Sequence, residues 1–80
     1  VPGLVDADLW NEHYSRYLFA ARLCRGKKVI DLGCGTGYGS AELARLAEHV
    51  TGVDCASEAI EQARAEFQRP NLQFEVARLE

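Results

Sequence analysis

Apolar residues recur at helical spacing near the start of the chain. Trp10, Tyr14, Tyr17, Leu18 and Ala21 stand at i, i+4, i+7, i+8 and i+11, one continuous apolar face. The pattern predicts a helix over residues 9–24, within an N-terminal element spanning 8–25. Asp6 or Asp8 is placed to cap its start and Gly26 to end it. The period then changes. Residues 29–32 form an apolar run too short for a helix and stopped by Gly33, which reads as a buried strand. Residues 39–49 return to a helical pattern through Ala41, Leu43, Ala44, Leu46 and Ala47, rich in good helix formers. Residues 50–53 resemble a second strand that ends at Asp54. Ser57 is a candidate N-cap for a helix through Gln68, with Glu58 and Glu61 in the first turn, where the helix dipole favours acids. Pro70-Asn71 breaks that helix, and the alternation of Leu72, Phe74 and Val76 predicts a third strand over 72–77.

The order α-β-α-β-α-β implies crossover units and a parallel sheet, so residues 1–80 are one α/β unit with its βαβαβ core at 28–78. Right-handed crossovers lay the strands side by side in the order 3-2-1, with helices expected on both faces. No repeat, low-complexity stretch or internal boundary interrupts the chain. The first strand would then be an edge, although Val29-Ile30-Asp31-Leu32 has the apolar character of a central strand. Such an edge invites pairing with another chain or with further strands.

Composition changes this picture little. Of the 80 residues, 48% are hydrophobic and 26% charged, ordinary for a globular protein. No run approaches the roughly 20 apolar residues of a membrane span, and no secretory leader pattern is visible. A net charge of −3 lacks the footprint of a nucleic-acid binder. Cys24, Cys34 and Cys55 are odd in number and lie 10 and 21 residues apart, which matches neither a disulfide framework nor a metal site. Reduced cysteines in a cytoplasmic protein are therefore expected. The chain begins Val1-Pro2 without an initiator Met and stops just after an apolar run, so it reads as a piece of a longer polypeptide.

The chemistry concentrates in "VIDLGCGTGYGS", residues 29–40, where Gly33, Gly35, Gly37 and Gly39 follow a strand directly. Ligands bind outside the carboxyl ends of strands in open parallel sheets, and glycines admit a ligand close to the backbone. Asp54, 21 residues after Gly33 and at the end of the next strand, is placed to accept the hydroxyl hydrogens of a ribose and to repel a 2′-phosphate. A nicotinamide dinucleotide would satisfy these two features. Its fingerprint G-x-G-x-x-G, however, would need glycine at Tyr38 or Ser40, and the spacing here is G-x-G-x-G-x-G. Asp31 is the second objection. Beside a pyrophosphate it would cost affinity, whereas beside an ammonium it adds a charge-assisted hydrogen bond of roughly 1.5–3 kcal/mol before desolvation. A ligand with a ribose, an adenine and a cationic amino-acid tail, such as S-adenosylmethionine, answers both acids.

Taken together, "VIDLGCGTGYG" and "VTGVDCASEAIEQA" resemble the class I S-adenosylmethionine-dependent methyltransferases over residues 27–80. The resemblance implies a Rossmann-like open sheet, here the N-terminal half of a seven-stranded fold. It also implies roles by position. Asp31 would hold the methionine amino group, and the loop of Gly33, Cys34, Gly35, Thr36 and Gly37 would pass under the methionine and ribose. Asp54 would take the ribose hydroxyls and Cys55 would pack against adenine. Where relatives often carry an acid after the third strand, this chain has Arg78, which cannot accept a hydrogen bond. Adenine would then be read by the backbone of Ala77, Arg78 and Leu79, unless the alignment shifts by a residue or two.

"LWNEHYSRYLFA" resembles a segment that precedes the first strand in small-molecule methyltransferases, including ones linked to glycan and lipopolysaccharide biosynthesis. There Arg16 or Tyr17 would reach the cofactor carboxylate. Alternatively, Glu12 and Arg16 form a solvated i,i+4 pair and Tyr17 is core. His13 reads as a polar helix residue rather than a catalyst. The resemblance thus implies methyl transfer to a small-molecule, glycan or lipid acceptor, with no catalytic residue assigned within these 80. A non-catalytic cofactor-binding fragment and an NAD-dependent oxidoreductase are the other two readings.

Overall fold

A computed structural model describes residue 17 and residues 19–78. Several expectations lie outside the described residues. These are the start of the N-terminal helix with its Asp6 or Asp8 cap, the Glu12–Arg16 pair, His13, the Arg16 contact and the Leu79 backbone contact. Within the described part, Tyr17 and residues 19–23 are helical (α1). There follow β1 (Lys28–Leu32), α2 (Tyr38–Leu43), β2 (His49–Asp54), α3 (Ser57–Glu66) and β3 (Leu72–Val76). The three strands are parallel in the order β1-β2-β3, the arrangement the crossover rule predicts.

Register decides what the sheet presents. Asp31 lies beside Gly52, and Gly52 beside Phe74. Val29, Val50 and Leu72 form the parallel row, and partners in adjacent strands share a face. This face is the covered one. Val50 and Ile60 are fully buried, and Ala41, Ala63, Leu72 and Phe74 close the core around them. Each fully buried aliphatic side chain here contributes about 1.5–3 kcal/mol. The strand packing has a requirement at Gly52, where a Cβ would stand 2.7 Å from the Phe74 ring and 2.7 Å from Ser40 Oγ. Only glycine lets α2 and the Phe74 ring approach β2 together.

Helices on both faces were expected, and among the described residues they lie on one. Ser40 of α2 and Ala63 of α3 both reach the Gly52–Phe74 face. The reason is topological: two right-handed crossovers stepping in the same direction return over the same side. The opposite face carries Ile30 and Leu32, 67% and 62% exposed.

Two helices are shorter than their patterns suggest. The segment 39–49 forms regular helix only to Leu43, then tightens, with Arg45 and Leu46 N–H donating to carbonyls three residues back. Distant side chains take its terminal carbonyls. Asn71 Nδ2 donates to Ala44 O at 2.7 Å and Ala47 O at 3.2 Å, and Arg69 Nη1 to Ala41 O at 2.9 Å. The chain is then free to turn into β2, where Glu48 N–H meets Lys27 O. Helix α3 ends at Glu66, where Phe67 turns extended. Its N-cap is Ala56 rather than Ser57, without a side-chain cap, and only Glu58 of the two acids lies in the first turn. Asp54 fixes the entry to the helix by accepting the Ala56 N–H.

On the outer edge of β3, Arg64 donates to Phe74 O through Nε at 3.1 Å and Nη2 at 2.7 Å. A cation there blunts an edge strand. A groove of about 510 Å³ opens beside it, between Arg64, Phe67, Arg69, Leu72 and Phe74. It shares no residue with the glycine loop, and both its arginines are engaged with backbone carbonyls.

Candidate functional site

The site forms at the carboxyl ends of β1 and β2. Beyond Leu32 the chain turns at once, and the N–H groups of Gly33 and Cys34 both donate to Val53 O, at 2.7 and 3.0 Å. These bonds anchor the loop to the neighbouring strand. Gly33, Gly35 and Gly37 all have positive φ, at +73°, +57° and +93°, a conformation that side chains with a Cβ rarely adopt. The three differ in their surroundings. At Gly37 a Cβ would collide with Phe74 and Ala63, so this glycine also serves packing at the start of α2. At Gly33 and Gly35 a Cβ would meet nothing within 4 Å. Open space lies beside the backbone at these two positions.

Two carboxylates flank that space. Asp54 is half-exposed, and its Oδ2 accepts the Gly35 N–H at 2.9 Å while Oδ1 accepts the Ala56 N–H at 2.9 Å. The first bond ties the loop of one crossover to the strand end of the next. The N–H groups of Ala56 and Gly35 hold the Asp54 carboxyl below the usual carboxylate range, against a small opposing effect of desolvation. Cys55 also contributes weaker bonds to the same carboxyl. Asp31, on β1, is half-buried, and its Oδ2 accepts the Ser40 hydroxyl at 2.7 Å.

Cys34 is buried within the loop, with Sγ 3.6 Å from Gly35 O. Burial pushes its thiol pKa up, and Asp31 and Asp54 push it further. Both effects disfavour the reactive thiolate. Above the loop, the Tyr17 ring rests on Gly39, where any Cβ would run into it. Burial raises the Tyr17 hydroxyl pKa, with Asp31 and then Cys34 adding to it.

The structure therefore brings together Asp31, Gly33, Cys34, Gly35, Thr36, Gly37 and Asp54, with Cys55 exposed next to them. Arg78 follows β3 by two residues, and Asp54 O accepts the Ala77 N–H at 3.0 Å, so the exit of β3 also meets this end of the sheet. Ser40 also belongs to the site, through its bond to Asp31. A serine on the small inner stripe of α2, among Gly37, Ala41 and Ala44, was the available signal for it. Among the described residues no cluster of His, Cys, Asp and Glu could hold a metal ion.

The family described as "methyltransferase domain" matches residues 29–80, the glycine loop and all three strands. The chain belongs to the class I S-adenosylmethionine-dependent methyltransferases. It is 33% identical, over 90% of its length, to a probable S-adenosylmethionine-dependent methyltransferase of Mycolicibacterium smegmatis, and covers 28% of that protein. It is 45% identical over 62% of its length to a ubiquinone biosynthesis O-methyltransferase of Albidiferax ferrireducens, covering 21% of it. Among solved structures, the Trypanosoma brucei PRMT1 enzyme–prozyme complex with AdoHcy superimposes with a TM-score of 0.71 at 31% identity. That match covers 84% of this chain and 22% of the other. The chain thus spans only 21–28% of these three relatives.

The residues fit the cofactor of this family. A loop with open space beside Gly33 and Gly35 suits a ligand that lies against the backbone. One carboxylate on each side suits a ligand with an ammonium at one end and vicinal hydroxyls further along.

Proposed function

We propose that this chain is the cofactor-binding part of a methyltransferase that acts on a small-molecule, glycan or lipid acceptor. The observation that carries the reading is the pair of carboxylates, Asp31 and Asp54, on either side of the open positive-φ loop. In this reading Asp31 faces the methionine ammonium. The backbone of Gly33, Cys34, Gly35, Thr36 and Gly37 underlies the methionine and ribose, and Asp54 accepts from the ribose hydroxyls. Cys55 lies against the adenine, with Arg78 and the neighbouring backbone beyond it and Arg16 at the carboxylate end. Bound S-adenosylmethionine supplies an electrophilic methyl on a sulfonium. The chain's residues hold that donor in one orientation, and orientation is a large part of the rate of an in-line displacement.

A small-molecule acceptor is favoured by the similarity to ubiquinone biosynthesis O-methyltransferases. Among the described residues β1 has no second neighbouring strand, and the exposed Ile30 and Leu32 beside that edge support the reading that it pairs with further strands or another chain. No described helix is long and apolar enough to cross a membrane, which is compatible with the cytoplasmic placement proposed here. The second reading is a unit that binds the cofactor and transfers no methyl. Calorimetry on Asp54→Ala tests the site: S-adenosylhomocysteine affinity should fall sharply, and an unchanged affinity would remove Asp54 from the ribose. A methyl-transfer screen over quinol, glycan and lipid acceptors with the full-length protein separates the two readings.

A further inference from the structure

Ser40 is the buried polar side chain of the described core, with no exposed surface at all. Its hydroxyl donates to Asp31 Oδ2 at 2.7 Å. Ser40 sits in the first turn of α2, where Gly37 is the N-cap and the Ala44 N–H bonds back to Ser40 O at 3.0 Å. The backbone beneath it is therefore fixed. So is the side chain, because the space across β2 exists only through the missing Cβ of Gly52, which would stand 2.7 Å from Ser40 Oγ. Gly52 is in turn the register partner of Asp31. Packing alone does not ask for a hydroxyl here. The neighbours Ala41 and Ala44 are alanines, and alanine is the better helix former.

We infer that Ser40 is a positioning residue for the cofactor's amino group. It holds Asp31 Oδ2 from behind, inside the fold, so that Oδ1 is aimed at the open side of the glycine loop. Without the hydroxyl, Asp31 would rotate between orientations, and its hydrogen bond to an ammonium would have to order it first. The effect should be confined to ligands that carry that ammonium. This inference rests on the reading of Asp31 given above, and two ligands separate the two claims. S-adenosylhomocysteine has the amino-acid tail. 5′-Methylthioadenosine shares its adenosine and thioether but has no amino group.

The experiment measures Kd for both ligands by calorimetry on the full-length protein, as wild type, Ser40→Ala, Asp31→Asn and the double variant. Ser40→Ala is expected to weaken S-adenosylhomocysteine about tenfold, the low end for a hydrogen bond to a charged group. It should leave 5′-methylthioadenosine within about twofold, which also shows that the site is still folded. On the Asp31→Asn background it should add nothing further. Equal loss for both ligands would overturn the inference, since Ser40 would then be structural only. No loss for S-adenosylhomocysteine, or full additivity with Asp31→Asn, would overturn it as well. An Asp31→Asn protein that binds S-adenosylhomocysteine like wild type would instead remove the ammonium from Asp31, and the Ser40 role with it.

Discussion

Replacing Gly52 with alanine tests the way the fold supports the site. The added methyl would lie 2.7 Å from Phe74 Cδ1, 2.7 Å from Ser40 Oγ and 2.9 Å from Phe74 Cε1, where ordinary contact begins at 3.4 Å. Neither neighbour gives easily. Phe74 is 4% exposed and wedged between Gly37, Gly52 and Ala63, and Ser40 is held by its helix and by Asp31. Relief requires shifts of roughly 0.7 Å in two packed elements, and overpacking of this kind costs about 1–3 kcal/mol. One kcal/mol moves Tm by about 4–8 °C for a unit of 60–100 residues and about 2–4 °C for 150–250, so a drop of at least about 2 °C is expected. Thermal melting followed by circular dichroism measures it. A double-mutant cycle with Phe74→Leu sharpens the result, because removing the ring edge should return part of the Gly52→Ala cost. An unchanged Tm for Gly52→Ala would refute the claim that close approach, rather than chance, keeps glycine in β2.

Gly39→Ala drives a methyl into the Tyr17 ring, so it should destabilise by about 1–3 kcal/mol in denaturant titration; in a Tyr17→Ala background that cost should largely vanish. Asp54 has a carboxyl pKa lowered by the Ala56 and Gly35 N–H groups. Its contribution to stability is therefore complete above the ordinary aspartate value of about 3.9 and lost as pH falls through its own lower value. NMR titration should place the Asp54 midpoint below that ordinary value, and a midpoint at or above it would contradict the two backbone bonds. Cys34 is buried with a raised thiol pKa, whereas Cys55 is exposed. Mass spectrometry during iodoacetamide treatment at pH 8 should find Cys55 modified well before Cys34.

The strands and their order were legible in the sequence because short apolar runs stopped by glycine or proline, alternating with helical patterns, leave few topologies. The glycine loop and both acids were legible for a related reason, since their chemistry is local to the ends of two strands. What the sequence hid depends on contacts between elements. Ala41, Leu43, Ala44, Leu46 and Ala47 read as one long helix. It stops early because β2 must begin at His49, and Asn71 and Arg69, far along the chain, take the freed carbonyls. Ser57 read as a cap, but the helix starts one residue earlier, so Ser57 is its first helical residue and Ala56 the N-cap. Ser40 looked like one polar residue in a helix until the register of β1 with β2 put it under Asp31, facing Gly52. The expectation of helices on two faces came from the whole-fold pattern. Three strands and two crossovers occupy only one face, and Ile30 and Leu32 mark the other.

The central claim is that the two carboxylates select a ribose ligand bearing an ammonium over one bearing a pyrophosphate. Calorimetric titration of the wild-type protein with S-adenosylhomocysteine and, separately, with NAD tests this most directly. Saturable binding of S-adenosylhomocysteine with no detectable heat from NAD is the predicted result. Equal or tighter binding of NAD would contradict the account.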